Sequence, residues 1–116
     1  MLNYLEILDR AQQGPYLEEE SWDLDKVALT TRKIVQKYKL DWDPNIIVTD
    51  DPGLADTIFE AGFELAREIG AYSRSTERVI EFFPGELEQG LRRMPNSLVM
   101  GEGKDARTLL SRKIAD

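Results

Sequence analysis

The sequence predicts an α+β fold: a small helical domain that carries two short β-hairpins. Apolar residues recur with helical spacing over residues 21–38 and again over 52–69, which favours two amphipathic helices. Short runs of strand-forming residues within 71–82 and 97–112 are each interrupted by polar or glycine residues, as is typical of hairpins. The length of 116 residues suits one domain, so residues 1–116 are predicted to form a single unit.

The first two helices are predicted from their apolar faces. Residues 3–13 form a short amphipathic segment that Gly14-Pro15 ends, and its buried side is predicted to hold Tyr4, Leu5 and Leu8. A longer helix begins near Ser21, with acidic residues at its start and lysines at its end, as the helix dipole favours. Its predicted buried stripe consists of Leu24, Val27, Ala28, Thr31, Ile34, Val35 and Tyr38.

A third helix is predicted after a loop that contains two prolines. Pro44 and Pro52 disfavour helix in the residues before them, so residues 40–53 are predicted to be extended or looped. Asp51 is predicted to cap the third helix, and Gly70 to end it. The residues predicted to point inward are Leu54, Ile58, Ala61, Leu65 and Ile69.

The first hairpin and a short helix follow. Residues 71–74 and 78–82 are predicted to pair as strands across the polar turn at 75–77. Pro84-Gly85 then opens a helix whose apolar residues are Leu87, Leu91 and Met94. The second and third helices are predicted to carry the core. With the first hairpin, the short helix and the loops between them, they account for residues 21–96.

The last segment is predicted to form the second hairpin. Residues 97–101 and 106–112 have strand-like composition, and the glycines between them favour a turn. A helix over 107–114 is the alternative that the pattern leaves open.

Composition narrows the possible functions. The chain has neither cysteine nor histidine, which removes disulfides, thiolate metal sites, thiol nucleophiles and the commonest general base. Catalysis would have to rest on carboxylates, lysine, tyrosine or hydroxyls, so a non-catalytic role is expected. No apolar run approaches the ~18 residues of a membrane span. A cytoplasmic protein without membrane contact is therefore predicted.

Charge is unevenly distributed along the chain. The formal net charge is -7, which argues against nucleic acid as a partner. Residues 1–60 hold 6 Lys/Arg and 13 Asp/Glu, whereas residues 61–116 hold 9 of each. Residues 92–113 carry six cations against Glu102 and Asp105. An attraction between the acidic front and the basic tail, within or between subunits, is predicted.

The glycines at Gly101 and Gly103, followed by Lys104, raise the question of a phosphate-binding loop. A Walker loop needs G-x-x-x-x-G-K-[ST], but here the lysine is followed by Asp105, and Glu102 inside the loop would repel phosphate. Glycine and aspartate are also the residues that turns between strands require. The loop is therefore predicted to be a turn.

Two acidic motifs are also interpreted structurally. Asp41, Asp43 and Asn45 alternate as in a calcium loop, but the loop's glycine and its bidentate glutamate are replaced by Ile46 and Pro52. A solvated turn is predicted there. The acidic run at 18–20, with Asp23 and Asp25, precedes a helix and is predicted to stabilise the positive end of the helix dipole.

A set of short matches across the chain resembles the N-terminal region of methanogen-type monomethylamine methyltransferases. The matches run collinearly with almost no change in spacing, and each is weak alone. They are Asp9-Arg10-Ala11, Trp22-Asp23-Leu24, Gln36-Lys37-Tyr38 with Leu40-Asp41, Thr49-Asp50, Ala61–Glu64, Gly70 with Tyr72, Thr76 with Arg78, and Gly101-x-Gly103-x-Asp105-Ala106.

The resemblance implies a TIM-barrel enzyme that moves a methyl group from methylamine to the cobalt of a partner corrinoid protein. In the archaeal members, pyrrolysine acts on the amine, and the reactive residues and the barrel lie beyond position 116. The resemblance therefore assigns no catalytic, cofactor-binding or metal residue to this chain. It implies that residues 1–116 correspond to the segment that precedes the barrel, where a leading hairpin closes the noncatalytic face.

Two roles follow from the resemblance, and the sequence leaves both open. The chain is either the capping, scaffold or oligomerisation portion of such an enzyme, inactive alone, or a stand-alone interaction module that binds a corrinoid protein or a full-length methyltransferase. A longer reading frame after Asp116 would favour the first role, and a stop codon there the second. A third reading, a small-ligand binder that uses the glycine loop, is disfavoured by the lack of histidine, cysteine and a Walker serine.

The chain is also predicted to form a homo-oligomer. A barrel would cover apolar surface that is exposed without it, and exposed apolar patches of that kind promote association between molecules. The candidate surface is Val79, Ile80, Phe82 and Phe83 on the first hairpin, with Leu98, Val99 and Met100 on the second.

Overall fold

The structure of the protein, a computed structural model, describes residues 2–113 and has the predicted α+β fold. In chain order the helices are α1 (Tyr4–Gln13), α2 (Glu19–Ser21), a π-helical segment (Trp22–Ala28), α3 (Leu29–Tyr38), α4 (Pro52–Ile69), α5 (Glu86–Arg93) and a single 3-10 turn (Gly103–Asp105). The strands are β1 (Ala71–Ser73), β2 (Arg78–Ile80), β3 (Ser97–Met100) and β4 (Arg107–Leu110). Each strand pair forms an antiparallel two-stranded sheet, so both predicted hairpins are confirmed.

Helix α1 has the predicted bounds but a different buried face. Asn3 and Glu6 form a capping box, in which each side chain accepts a hydrogen bond from the other's backbone N–H, at 3.0 Å and 2.9 Å. The prediction that Tyr4, Leu5 and Leu8 point inward is wrong, because all three are exposed.

The face of α1 that packs is the one that meets β2. A Cβ on Gly14 would lie 2.1 Å from the carbonyl oxygen of Val79, so only glycine allows the end of α1 to approach this strand so closely. The backbone N–H of Val79 donates to the carbonyl of Pro15 at 2.9 Å. The half-buried residues of α1 are accordingly Ile7, Arg10 and Ala11, whereas Leu5 is exposed.

The predicted second helix is one continuous helix in three parts. Its middle part, Trp22–Ala28, is π-helical, so its hydrogen bonds close i→i+5 rather than i→i+4 and one more residue fits in the turn. The predicted stripe is right at Ile34, which is 5% exposed, and wrong at Leu24 and Val35, which are exposed. Trp22, two residues before Leu24, is the buried residue of this part of the helix, at 9% exposed.

Trp22 links this helix to the first hairpin. Its ring stacks on Tyr72 of β1, with 5.1 Å between the ring centroids and 15° between the planes. The Tyr72 hydroxyl donates to the carbonyl of Leu17 at 2.7 Å, which also ties the chain between α1 and α2 to β1.

Helix α4 has the predicted caps. The Asp51 side chain accepts hydrogen bonds from the backbone N–H groups of Gly53 and Leu54, at 2.9 Å and 3.3 Å. Gly70 ends the helix with φ of 70°, and a Cβ there would lie 2.3 Å from the carbonyl oxygen of Ile80. Ala61, buried at the middle of α4, faces α3.

The two hairpins differ in burial. In the first, Val79 and Ile80 are buried, so the prediction that they form exposed surface is wrong. Their strand lies against α1 and the end of α4, where Gly14 and Gly70 allow close approach. In the second, every residue of β3 and β4 is exposed.

The second hairpin also settles the alternative left open by the sequence. Residues Arg107 to Leu110 pair in register with Leu110 opposite Ser97 and Arg107 opposite Met100. The helix alternative is wrong for these residues, while Ile114 lies outside the described residues.

The molecule is extended for its length. Its radius of gyration is 17.8 Å, whereas a compact domain of this size has about 13 Å. Its buried core within residues 2–113 consists of five side chains, Trp22, Ile34, Ala61, Val79 and Ile80. No helix in that range combines the length and apolar composition that crossing a membrane requires.

Candidate functional site

The acidic motifs singled out in the sequence make local structural contacts. Glu19, at the start of α2, pairs with Arg74 at 3.3 Å. Asp43 accepts hydrogen bonds from the backbone and side-chain nitrogens of Asn45, at 2.9 Å and 3.0 Å, which forms the predicted turn. Across the part of the chain that the structure describes, no group of three or more carboxylate, histidine or cysteine side chains is placed to hold a metal ion.

The glycine loop is a turn, as predicted. Gly101 and Gly103 have φ of 87° and 55°, values that favour glycine. A Cβ on Gly101 would lie 2.8 Å from the carbonyl oxygen of Asp105, so this position also needs glycine for space. The backbone N–H of Asp105 donates to the carbonyl of Glu102 at 3.1 Å, which closes the turn between β3 and β4.

An apolar groove of about 490 Å³ lies between α4 and α5. Its α4 wall consists of Ile58, Phe59, Gly62, Phe63 and Ala66. Its other wall consists of Glu86, Leu87, Gly90 and Leu91 of α5 and of Met94, which follows the helix, and Leu2 also lines the groove. Nothing lies within 4 Å of a Cβ built on Gly62 or Gly90, so both walls have open space at their glycines.

A half-buried ion pair holds α5 in place beside this groove. The Nη1 and Nη2 atoms of Arg10 donate to the two carboxylate oxygens of Glu86, each at 2.6 Å. Glu86 also accepts from the backbone N–H of Phe83 at 2.9 Å, and Arg10 lies 4.1 Å from the centre of the Phe83 ring. These contacts tie the first turn of α5 to α1.

The same contacts shift the pKa values of the pair. The hydrogen bonds from Arg10 lower the pKa of Glu86 from 4.5 to about 2, against the opposing effect of burial. The Glu86 carboxylate in turn raises the pKa of Arg10. Both groups therefore stay charged near neutral pH and serve as a structural link.

A second cluster fixes the other side of α4. Lys37 Nζ and the Tyr38 hydroxyl donate to the two oxygens of Glu64, at 2.7 Å and 2.5 Å. The hydrogen bonds from Lys37 and Tyr38 lower the pKa of Glu64, and the same carboxylate raises the pKa of Tyr38. Because α3 packs on this side of α4, the groove side is left facing outward.

Sequence reasoning missed the groove. It gave α4 one inward stripe that omits Phe59 and Phe63. The prediction that Ile58 points inward is wrong, because Ile58 is 36% exposed and lines the groove. The Phe59 and Phe63 rings stack with 6.2 Å between centroids, and Arg67 lies 5.1 Å from the Phe63 ring. The available signal was a second apolar face, formed by aromatic residues spaced i and i+4 on either side of Gly62.

These features define a helix-and-hairpin domain with a small closed core and outward-facing apolar surface on α4, α5 and the second hairpin. The chain belongs to the monomethylamine methyltransferase MtmB family, whose model matches residues 2–116, and it corresponds to the N-terminal region of that family.

Individual relatives agree with this assignment. The monomethylamine methyltransferase MtmB1 of Methanosarcina barkeri is 32% identical over 108 residues, which cover 93% of this chain and 23% of that protein. The MtmB1 protein of Methanosarcina acetivorans is 30% identical over the same length. The chain therefore spans about a quarter of the length of the curated relatives it matches.

Solved structures match the fold. The crystal structure of the Methanosarcina barkeri monomethylamine methyltransferase superposes with a TM-score of 0.85 and 28% identity. The match covers 97% of this chain and 24% of that one. The crystal structure of a hydroxylamine MtmB complex gives the same values.

Proposed function

We propose that this chain forms the N-terminal scaffold of a monomethylamine:corrinoid protein methyltransferase. In this proposal, the remaining polypeptide of the enzyme transfers the methyl group from methylamine to the cobalt of a corrinoid, which a partner protein carries. The support is family membership over residues 2–116, combined with coverage of 23% of a curated relative. The proposed contribution of this chain is structural: it covers and positions the catalytic part.

The observation that carries the proposal is the exposure of the second hairpin. A two-stranded hairpin alone is marginally stable in water, and a strong hairpin needs a third strand or a packed face. Here Leu98 and Leu109 face each other across the strands, and both are 55% exposed. We propose that this face covers the noncatalytic end of the barrel, because the chemistry of such folds lies at the opposite end.

The ionisable residues of the chain support a structural role. The two carboxylates with lowered pKa values, Glu86 and Glu64, are both engaged in ion pairs that join helices. Carboxylates with a shifted pKa occur in structural ion pairs as well as in catalytic sites. Here each carboxylate lies within 2.7 Å of its cationic partner. We therefore expect the chain alone to be catalytically silent.

The test is an exchange of segments. The matching N-terminal quarter of the Methanosarcina barkeri enzyme is replaced by this chain, and methylation of a reduced corrinoid protein by methylamine is followed. We expect activity from this chimera and none from the isolated chain. Methylation by the isolated chain above background, or a chimera that does not fold, would contradict the proposal.

A matched pair of variants tests the role of the hairpin. Leu109→Glu places a charge on the face shared with Leu98, whereas Thr108→Glu places it on the opposite face, which Val99 shares. Leu109→Glu should lower the thermal stability of the chimera, and Thr108→Glu should change it little. Equal effects would show that this face is not the one covered.

The first hairpin favours a second candidate, a stand-alone interaction module. Val79 and Ile80 are buried within the chain's own core, so these elements are not an open surface that awaits a barrel. Such a module would bind a corrinoid protein or a full-length methyltransferase. Sedimentation of the chain mixed with each of these proteins tests this candidate. A stand-alone module should co-sediment with one of them as a stable complex, whereas a scaffold segment should not.

A further inference from the structure

We infer that the groove between α4 and α5 is a docking site for about two turns of an apolar helix from the other three quarters of the family's polypeptide. The inference rests on the proposed function and gives it a second contact surface, separate from the second hairpin. It starts from the groove lining, which is apolar except for Glu86.

The chemistry of the groove selects an apolar occupant. The one charged lining residue, Glu86, already has both oxygens bonded to Arg10 at 2.6 Å and is not available to a ligand. The large side chains exposed at the groove are apolar: Phe59 is 58% exposed and Met94 is 64% exposed. An amphipathic helix places apolar anchors into a groove of this kind.

The size of the groove sets the length of the occupant. The lining residues of α4 run from Ile58 to Ala66, and those of the opposite wall from Glu86 at the start of α5 to Met94 just after its end. Each wall is therefore about 12 Å long at a helical rise of ~1.5 Å per residue. That length matches about two turns of helix, with anchors at i, i+3 or i+4, and i+7.

The glycines indicate close backbone approach. Gly62 and Gly90 lie near the middle of the two walls, and neither has an atom within 4 Å of a built Cβ. Neither glycine has a positive φ, so neither is needed for local backbone geometry. Small residues at a helix contact let the two backbones come closer together. Gly62 and Gly90 would therefore allow an incoming helix to approach both walls closely.

The apolar lining indicates a permanent partner, and the length of the relatives favours an attached segment over a second copy. Permanent interfaces are more apolar than transient ones, which carry a polar rim and charged residues. In the solved relatives, a chain about four times longer carries this same fold, and a segment of that chain acts at high effective concentration. A permanent intramolecular contact therefore suits the groove best.

Photo-crosslinking in the chimera identifies the occupant. The photoreactive residue p-benzoylphenylalanine is placed at Met94 in the groove or, as a control, at the exposed Gln36 on α3. We expect a cross-link from position 94 to a helix within the same polypeptide and none from position 36. A cross-link between two copies, or no cross-link from position 94, would overturn the inference.

Filling the groove provides an independent measurement. A Cβ at Gly62 or Gly90 meets no atom within 4 Å in the isolated chain, and leucine has a better helix propensity than glycine. The isolated Gly62→Leu and Gly90→Leu chains should therefore unfold at the same temperature or higher. The chimera should lose at least about 3 °C in Tm, while Gln36→Leu should leave it unchanged. The inference fails if the chimera keeps its Tm or if the isolated chain loses as much.

The two proposals can fail separately. A chimera that folds and methylates, but shows no cross-link at position 94 and tolerates both leucines, leaves the proposed function standing and removes the docking site. A chimera that does not fold contradicts the proposed function, and the docking site falls with it.

Discussion

Arg10 and Glu86 join α1 to α5 although 76 positions of sequence separate them. Their side chains are 17% and 14% exposed, so the pair is shielded from water far more than an ordinary surface ion pair. Loss of one partner leaves the other charge poorly solvated, which is why such pairs are costly to break. At the scale of single residues, this pair links the N-terminal helix α1 to the groove.

The first prediction concerns this pair. Glu86→Gln removes the charge and the bidentate geometry and should lower the free energy of unfolding by about 2 kcal/mol at pH 7. Glu19→Gln, which affects the exposed pair with Arg74, is the matched control and should cost less than about 1 kcal/mol. Urea denaturation of the three proteins measures both, and equal losses would contradict the prediction.

The effect should depend on pH in a defined direction. Because the folded-state pKa of Glu86 is lowered from 4.5 to about 2, its contribution is fully present above pH 4.5 and is lost as the pH falls toward 2. The difference between the wild type and Glu86→Gln should therefore shrink steadily in acid. A difference that stays constant from neutral pH down to the lowest pH at which the chain folds would exclude this role.

The second prediction concerns the turn in the second hairpin. Gly101 has a positive φ, and the Cβ of an alanine there would lie 2.8 Å from the carbonyl oxygen of Asp105. Gly101→Ala should therefore destabilise the hairpin by at least about 1 kcal/mol. Gly103→Ala should cost about 1 kcal/mol from its φ alone, and Lys104→Ala should be nearly neutral. Hydrogen exchange of the β3 and β4 amides measures the effect locally. Micromolar phosphate binding that Lys104→Ala abolishes would instead show that the turn is a ligand loop.

At the scale of elements, the composite second helix gives the third prediction. Ile34 is 5% exposed and Val35 is 39% exposed, although the sequence pattern makes them equivalent. Ile34→Ala should therefore cost about 2–5 kcal/mol, and Val35→Ala less than about 1 kcal/mol. Urea denaturation distinguishes them, and similar losses at both positions would mean that the helix face is misassigned.

The sequence predicted the elements better than their rotation. Turn and cap residues such as Asp51 and Gly70 act within a few positions of themselves, so the sequence shows them directly. The buried face of α1 depends instead on the contact between Gly14 and Val79, which lie far apart in the chain. No local pattern contains that information, so the helical periodicity assigns Leu5 to the buried face although Leu5 is exposed.

The groove was not predictable for a related reason. An apolar residue on α4 reads as core whether it packs inside the chain or faces outward. Ile58 and Phe59 are adjacent in sequence, and only the position of α5, which the Arg10–Glu86 pair helps to set, shows that both line the groove. Patterns of hydrophobicity identify surfaces to be buried, but they do not identify what buries them.

At the scale of the whole molecule, the fourth prediction is self-association of the isolated chain. The apolar faces of β3 and β4 are exposed, and both strands have an unpaired edge that can pair with another copy. We expect dimers or larger closed assemblies on the order of tens of micromolar, weakened by salt if the acidic front and basic tail contribute. Sedimentation velocity across that range measures it.

A control for this prediction uses the same hairpin. Leu98→Glu should favour the monomer, whereas Lys104→Glu in the exposed turn should leave the assembly in place. A clean monomer of the unmodified chain at high concentration would mean that the hairpin is stable without a partner.

The π-helical turn over Trp22–Ala28 has a consequence for how this family's sequences are aligned. Such a turn holds one residue more than an α-helical turn, so deletion of a single residue there would restore a regular helix. The residues before the deletion would then rotate by about 100° relative to α3, and Trp22 would leave the Tyr72 ring. A family member with a one-residue gap at this point should therefore keep every later element in register, yet present a different side chain to Tyr72.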